Sequence, residues 1–137
     1  MSAQRNSVGW VIQPGEAPTF ESPMPDVRQV SFLVDNALCG ARNLTAGLFA
    51  VPPHGHSVPD IHVEQEEIYY FVSGHGRAIL GGREHSVHAG TVVYIPSAVP
   101  HQLINDGDDY LRLFFVFAPQ PDRPYRHEAE SWQRVGV

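Results

Sequence analysis

Short apolar runs alternate with Gly- and Pro-rich breaks along most of this chain, and no amphipathic helical stretch separates them. Residues 1–29 stand apart. They are polar, broken by Pro14, Pro18, Pro23 and Pro25, and read as an arm with one short strand over Val8–Ile12. From Val30 the texture changes. Val30–Val34 is a compact apolar strand, Asp35–Cys39 a turn ending at Gly40, and Ala41–Val51 a strand stopped by Pro52-Pro53, which cannot continue a central ladder. His54–Pro59 reads as a loop. Glu67–Val72, Arg77–Leu80, Arg83–His88, Thr91–Ile95, His101–Asn105 and Tyr110–Phe117 follow as evenly spaced strands rich in β-branched and aromatic residues. Gly81-Gly82 is a two-residue hairpin signal. Only the tail, over Arg126–Arg134, has the texture of a helix. Many short strands with Gly/Pro turns predict an all-β antiparallel sandwich or small barrel.

The length of 137 residues fits one domain. The expected organisation is an arm at 1–29, a barrel at 30–120 and a short tail at 121–137. The net charge of −6 argues against sequence-independent nucleic-acid binding, which needs a basic face. All nine basic residues are Arg, so lysine Schiff-base chemistry and a P-loop lysine are excluded. The single Cys39 cannot form an internal disulfide. No apolar run approaches the ~18 residues of a membrane span, and the N-terminus lacks a signal-peptide core; a cytoplasmic protein without membrane or nucleic-acid partners is the expectation.

Seven of the eight His residues fall between His54 and His101, and this clustering is the first functional signal. In a strand, residues i and i+2 share a face, so Asp60 and His62 project together. Glu67 opens the next strand and His101 opens one much further on. A closed sheet can bring all four into one interior. Imidazole with carboxylate suits one divalent ion of iron, manganese, zinc or nickel, and two His plus a carboxylate leave positions open for substrate or O₂.

These residues stand in a recognisable frame. Asp60-x-His62-x4-Glu67-x6-Gly74 resembles the second half of the first motif of the cupin superfamily, with Asp in place of the first His. Gly90-x5-Pro96-x-Ala98-x2-His101-x3-Asn105 resembles the second motif, with Ala for the middle Gly. The resemblance covers about residues 42–118. It implies a single cupin double-stranded β-helix (jelly-roll) barrel with His62, Glu67 and His101 as metal ligands. Asp60 takes the fourth position, as a ligand or turned away. A metalloenzyme acting on a small organic molecule is expected, and apolar surroundings from Tyr69, Phe71 and Tyr94 would suit an aromatic or enolisable one. A dioxygenase, an oxidoreductase activity, comes first; an isomerase or decarboxylase comes second. A non-catalytic binding or sensor barrel is the alternative from another class.

Other residues are weighed against this centre. His54 and His56 form a second i, i+2 pair. They are candidate acid–base groups at the pocket mouth, or simply solvated. Tyr69 and Phe71 share the Glu67 face, Tyr69 as a candidate catalytic side chain and both as core. Glu64 and Glu66 read as solvated charges that replace Glu67 only if the register slips. Arg42, Arg77 and Arg112 bind a substrate carboxylate only if they point inward. His75, His85 and His88 read as surface residues, and His127 is uninformative. Phe114, Phe115 and Phe117 cannot all face one interior. The outward ones need a cover from the arm or a partner subunit, so a homodimer is expected.

Overall fold

The computed structural model describes residues 8–120 and 132–136. Ten strands carry the fold: β1 (Thr19–Glu21), β2 (Gln29–Val34), β3 (Thr45–Val51), β4 (Glu66–Ser73), β5 (His75–Leu80), β6 (Arg83–His88), β7 (Val92–Ile95), β8 (His101–Ile104), β9 (Leu111–Ala118) and β10 (Gln133–Gly136). Seven form one antiparallel sheet in the order β10-β1-β2-β3-β9-β4-β7, and three form a second in the order β6-β5-β8. The two sheets enclose the core as a jelly-roll barrel.

Alternation explains which side chains enter that core. Along β9, Leu111, Leu113 and Phe115 are buried, while Arg112 between them is exposed. Register sets Leu113 opposite Phe71 of β4 and Phe115 opposite Gly47 of β3. A Cβ at Gly47 would collide with the Ser31 backbone carbonyl of β2 and stand 2.9 Å from the Phe115 ring, so neither leaves room for a side chain. Phe20, Phe71, Leu111 and Leu113 are fully buried. Burying a side chain of this kind contributes about 1.5–3 kcal/mol each.

The β5–β6 hairpin turns through Gly81 and Gly82 with φ of 54° and 84°, the positive pair that a tight two-residue turn requires. The free edge of β8 is covered by the segment leading into β4. His56 bridges Ile104, Asp60 bridges His101, and Asp60 and His101 exchange both backbone hydrogen bonds at 2.8 and 2.9 Å. This strap brings the segment carrying Asp60 and His62 to the start of β8.

Several local expectations change. Val8–Ile12 forms no strand; the strand of the arm is β1, whose Phe20 reaches the core. Asp35–Cys39 is not a simple turn. Asn36–Cys39 forms a one-turn helix, α1, because Asp35 caps it by accepting from the Leu38 amide at 2.8 Å and Gly40 ends it at φ 75°. The third strand starts at Thr45 rather than Ala41. The helix expected over Arg126–Arg134 lies largely outside the described residues, and its described end, Gln133 and Arg134, belongs to β10. There, pairing with β1 outweighs helix propensity.

Candidate metal centre

Each of the four residues is positioned by a different local device. Glu67 is the second residue of β4, on the face shared with Phe71, and only 5% of it is exposed. His101 opens β8, and its Nδ1–H donates to the Val99 carbonyl at 2.9 Å. That bond fixes the tautomer and turns the Nε2 lone pair inward. Asp60 is held by its backbone pairing with His101, and its Oδ1 accepts from the Ile61 amide at 2.8 Å. The His62 carbonyl is tied to the Ala98 amide at 2.7 Å.

The side chains converge. His62 Nε2 stands 3.5 Å from Glu67 Oε1 and 3.6 Å from Asp60 Oδ2, and His101 Nε2 stands 3.6 Å from the same Glu67 Oε1. Ligating atoms of Asp60, His62 and His101 all lie within 4.8 Å of one another. These separations are too long for good hydrogen bonds. Atoms bound at roughly 2.1 Å to a common ion stand about 3.0–3.4 Å apart, close to what is seen.

Glu67 Oε1 is buried and accepts no hydrogen bond. It faces the Nε2 lone pair of His101, so two acceptors point at one space. A cation in that space satisfies both, and the residues therefore fit a divalent ion. Without one, burial, and then repulsion from Asp60, push the Glu67 carboxyl up to about 8, against the opposing hydrogen bond from Tyr69. The Tyr69 hydroxyl is itself pushed well above its usual value, mainly by burial and then by Glu67, so it stays a donor.

Aromatic rings complete the surroundings. Tyr69 meets His101 edge-on at 6.4 Å. Phe117 stacks on His62 at 6.0 Å and 17°, and Phe115 stacks on Phe117 at 5.8 Å. Phe117 was not singled out for the site in the sequence. The signal was present, because alternation puts it on the face of Leu113 and Phe115, but only the register with Glu67 places it at the centre.

The other candidates lie elsewhere. His56 sits opposite Ile104, three residues along β8 from His101, roughly 10 Å away at strand rise. Its Nε2 stands 3.5 Å from Asp26, and His54 pairs with Asp108 at 2.8 Å on the surface. The structure therefore does not bring His54 or His56 to the centre. Glu64 and Glu66 are exposed, and Glu66 accepts from the Tyr94 hydroxyl at 3.2 Å. Arg77 pairs with Glu84 at 2.8 Å, Arg112 lies over the Tyr110 ring at 4.9 Å, and Arg42 is exposed. His75 pairs with Asp106 at 3.1 Å, His85 and His88 are exposed, and His127 lies outside the described residues.

The sequence profile described as a cupin domain matches residues 47–117. The chain belongs to the cupin family. This cupin is 35% identical over 78 residues to an uncharacterized protein of Streptomyces coelicolor, covering 57% of this chain and 72% of that one. It is 33% identical over 78 residues to an uncharacterized protein of Methanocaldococcus jannaschii, covering 57% of this chain and 59% of that one. Among solved structures it is similar to a predicted oxalate decarboxylase from Thermotoga maritima, with TM-score 0.72 and 22% identity over 81% of this chain and 100% of that one. It is also similar to a sugar phosphate isomerase of the cupin superfamily from Silicibacter pomeroyi, with TM-score 0.59 and 22% identity over 69% of this chain and 60% of that one. At these identities the structural likeness establishes the barrel and not the reaction. No helix among the described residues is long and apolar enough to cross a membrane.

Proposed function

We propose that this cupin is a metalloenzyme with one divalent ion held by His62, Glu67 and His101 and by Asp60 as fourth ligand. The observation that carries the reading is the buried Glu67 Oε1, unpaired by any hydrogen bond and 3.5 and 3.6 Å from two imidazole nitrogens. A bound ion supplies Lewis-acid polarisation of an oxygen-bearing substrate and positions for O₂ beside it. The chain's own residues do the rest. The Val99 carbonyl keeps the His101 lone pair aimed inward. Tyr69 donates to Glu67 and helps hold it ionised. Phe117, stacked on His62 and backed by the buried Phe115, holds the imidazole plane and makes its surroundings apolar.

With two carboxylates, the loaded centre is close to neutral, and none of Arg42, Arg77 and Arg112 turns to it. Both points favour a weakly charged aromatic or enolisable molecule over a phosphorylated one. O₂-dependent ring or C–C cleavage is the first reading, because such an ion would leave positions for substrate and O₂ side by side. Isomerisation or decarboxylation is the second reading, favoured by what the two similar structures are described as. Oxygen consumption separates them. Metal-loaded protein is offered a panel of small phenols and enolisable acids in air and under argon. Turnover that stops under argon supports the dioxygenase, and turnover that continues supports the second reading. Tight binding without turnover in either atmosphere supports a binding barrel.

A further inference from the structure

One row of residues crosses the inner face of the smaller sheet at the level of the metal centre. Asp60 bridges His101 of β8, His101 stands opposite Leu80 of β5, and Leu80 stands opposite Arg83 of β6. Residues directly opposite in antiparallel pairs project to one face, so Arg83 shares the face of Asp60 and His101. Alternation along β6 agrees. Val87, four residues on from Arg83 and therefore on its face, is 2% exposed and part of the core. Glu84, the acid next to Arg83 in sequence, projects from the other face and pairs there with Arg77 at 2.8 Å.

Arg83 is exposed, and among the described residues it has no acidic partner. Arg28, Arg77, Arg112 and Arg134 are each engaged by a ring or a carboxylate. The Cα of Arg83 lies two strand spacings from that of His101, about 10 Å, and an extended arginine side chain spans more than one such spacing. Between them sits Leu80, half-buried and packed on the core. A molecule bound through an oxygen to an ion at His101 would lay an apolar body over Leu80 and bring its far end to the guanidinium. The planar fork of arginine matches a carboxylate with two parallel hydrogen bonds. One unpaired cation beside a nearly neutral loaded centre complements a single negative charge.

We infer that Arg83 is a specificity-determining residue that binds a carboxylate at the end of the substrate remote from the metal, with Leu80 as the apolar floor between. The inference rests on the metalloenzyme reading above and narrows its substrate class to small acids that carry one carboxylate and, across an apolar body, the oxygen that meets the ion.

The test loads the full chain with zinc, which takes no redox step, and measures the binding of two probes by calorimetry, with zinc content read in parallel. Protocatechuate offers catechol oxygens to the ion and a carboxylate across the ring; its carboxamide offers the same oxygens without the charge. Arg83→Gln should weaken protocatechuate about tenfold, the scale of a charge-assisted contact, leave the carboxamide unchanged and keep the zinc. Arg83→Lys retains the charge without the fork and should fall between. Comparing each variant with wild type cancels the two probes' own preference for zinc. Equal weakening of both probes, or of neither, overturns the inference and leaves the metal centre standing. So does a zinc-loaded wild type that binds neither probe. A wild type that takes up no zinc overturns the metalloenzyme reading itself, and the inference with it.

Discussion

Replacing Glu67 by Gln should stabilise the metal-free protein while abolishing its metal site. The carboxyl sits near 8 in the fold against 4.5 for the free group, so the folded state holds its proton more tightly than the unfolded chain. Stability from this group is complete below the unfolded value and falls as pH rises from 4.5, levelling above about 8. At pH 7 the gap of 2.5 units from the unfolded value amounts to roughly 3 kcal/mol, and at pH 5 to less than about 1 kcal/mol. The substituted Gln side chain has no charge to desolvate. Denaturant unfolding in chelator, run from pH 5 to 8 for both proteins, reads the difference directly, since other groups cancel. The difference should grow by roughly 3–4 kcal/mol over that range, equivalent to about ten degrees in melting temperature for a chain this size. A constant difference from pH 5 to 8 would show that Glu67 is not a desolvated carboxyl, and the argument for a cation beside it would fail.

Further consequences follow from the same geometry. Because metal must displace the Glu67 proton, apparent affinity should rise about tenfold per pH unit between pH 6 and 8, a higher range than titration of an ordinary imidazole near 6.5 would give; calorimetric titration in two buffers of different ionisation enthalpy should show about one proton released per ion bound at pH 7. Asp60→Ala should weaken binding less than His62→Ala in a competitive chelator assay, and Asp60→His should keep it; equal and complete loss in Asp60→Ala and His62→Ala would make Asp60 an indispensable ligand. Gly76→Ala should destabilise by at least about 2 kcal/mol in a thermal melt, since the added Cβ would lie 2.2 Å from the Ile104 carbonyl oxygen between β5 and β8; an unchanged melt would mean that the strands separate at little cost.

The strands were legible because their signals are local. Arg83–His88 carries its own hairpin glycines, and Glu66–Ser73 its own alternation and flanking breaks. The strap at His56–Asp60 was not legible as an edge, because its pairing partner lies some forty residues away and Pro59 within it masks the pattern. The same distance explains the reading of His54 and His56. Spacing alone made them a second i, i+2 pair near the pocket mouth, and only the pairing of His56 with Ile104 shows how far along β8 it lies. Strand β10 escaped for a similar reason, since Gln133–Gly136 is strand by virtue of β1 and not of its own composition. Strand alternation made a grouping of Asp60, His62, Glu67 and His101 possible, and the resemblance of their spacing to a known motif singled it out. The Val99 carbonyl behind His101 and the Phe117 ring behind His62 belong to elements whose sequence holds no metal signal at all.

Elemental analysis of protein purified without chelator, beside the His62→Ala/His101→Ala variant, tests the centre most directly. The wild-type chain should carry one divalent ion per chain, and the double variant, still folded by circular dichroism, should carry none. A stoichiometric ion retained by the double variant, or a wild-type chain that takes up none when offered iron, manganese, zinc or nickel, would contradict the assignment.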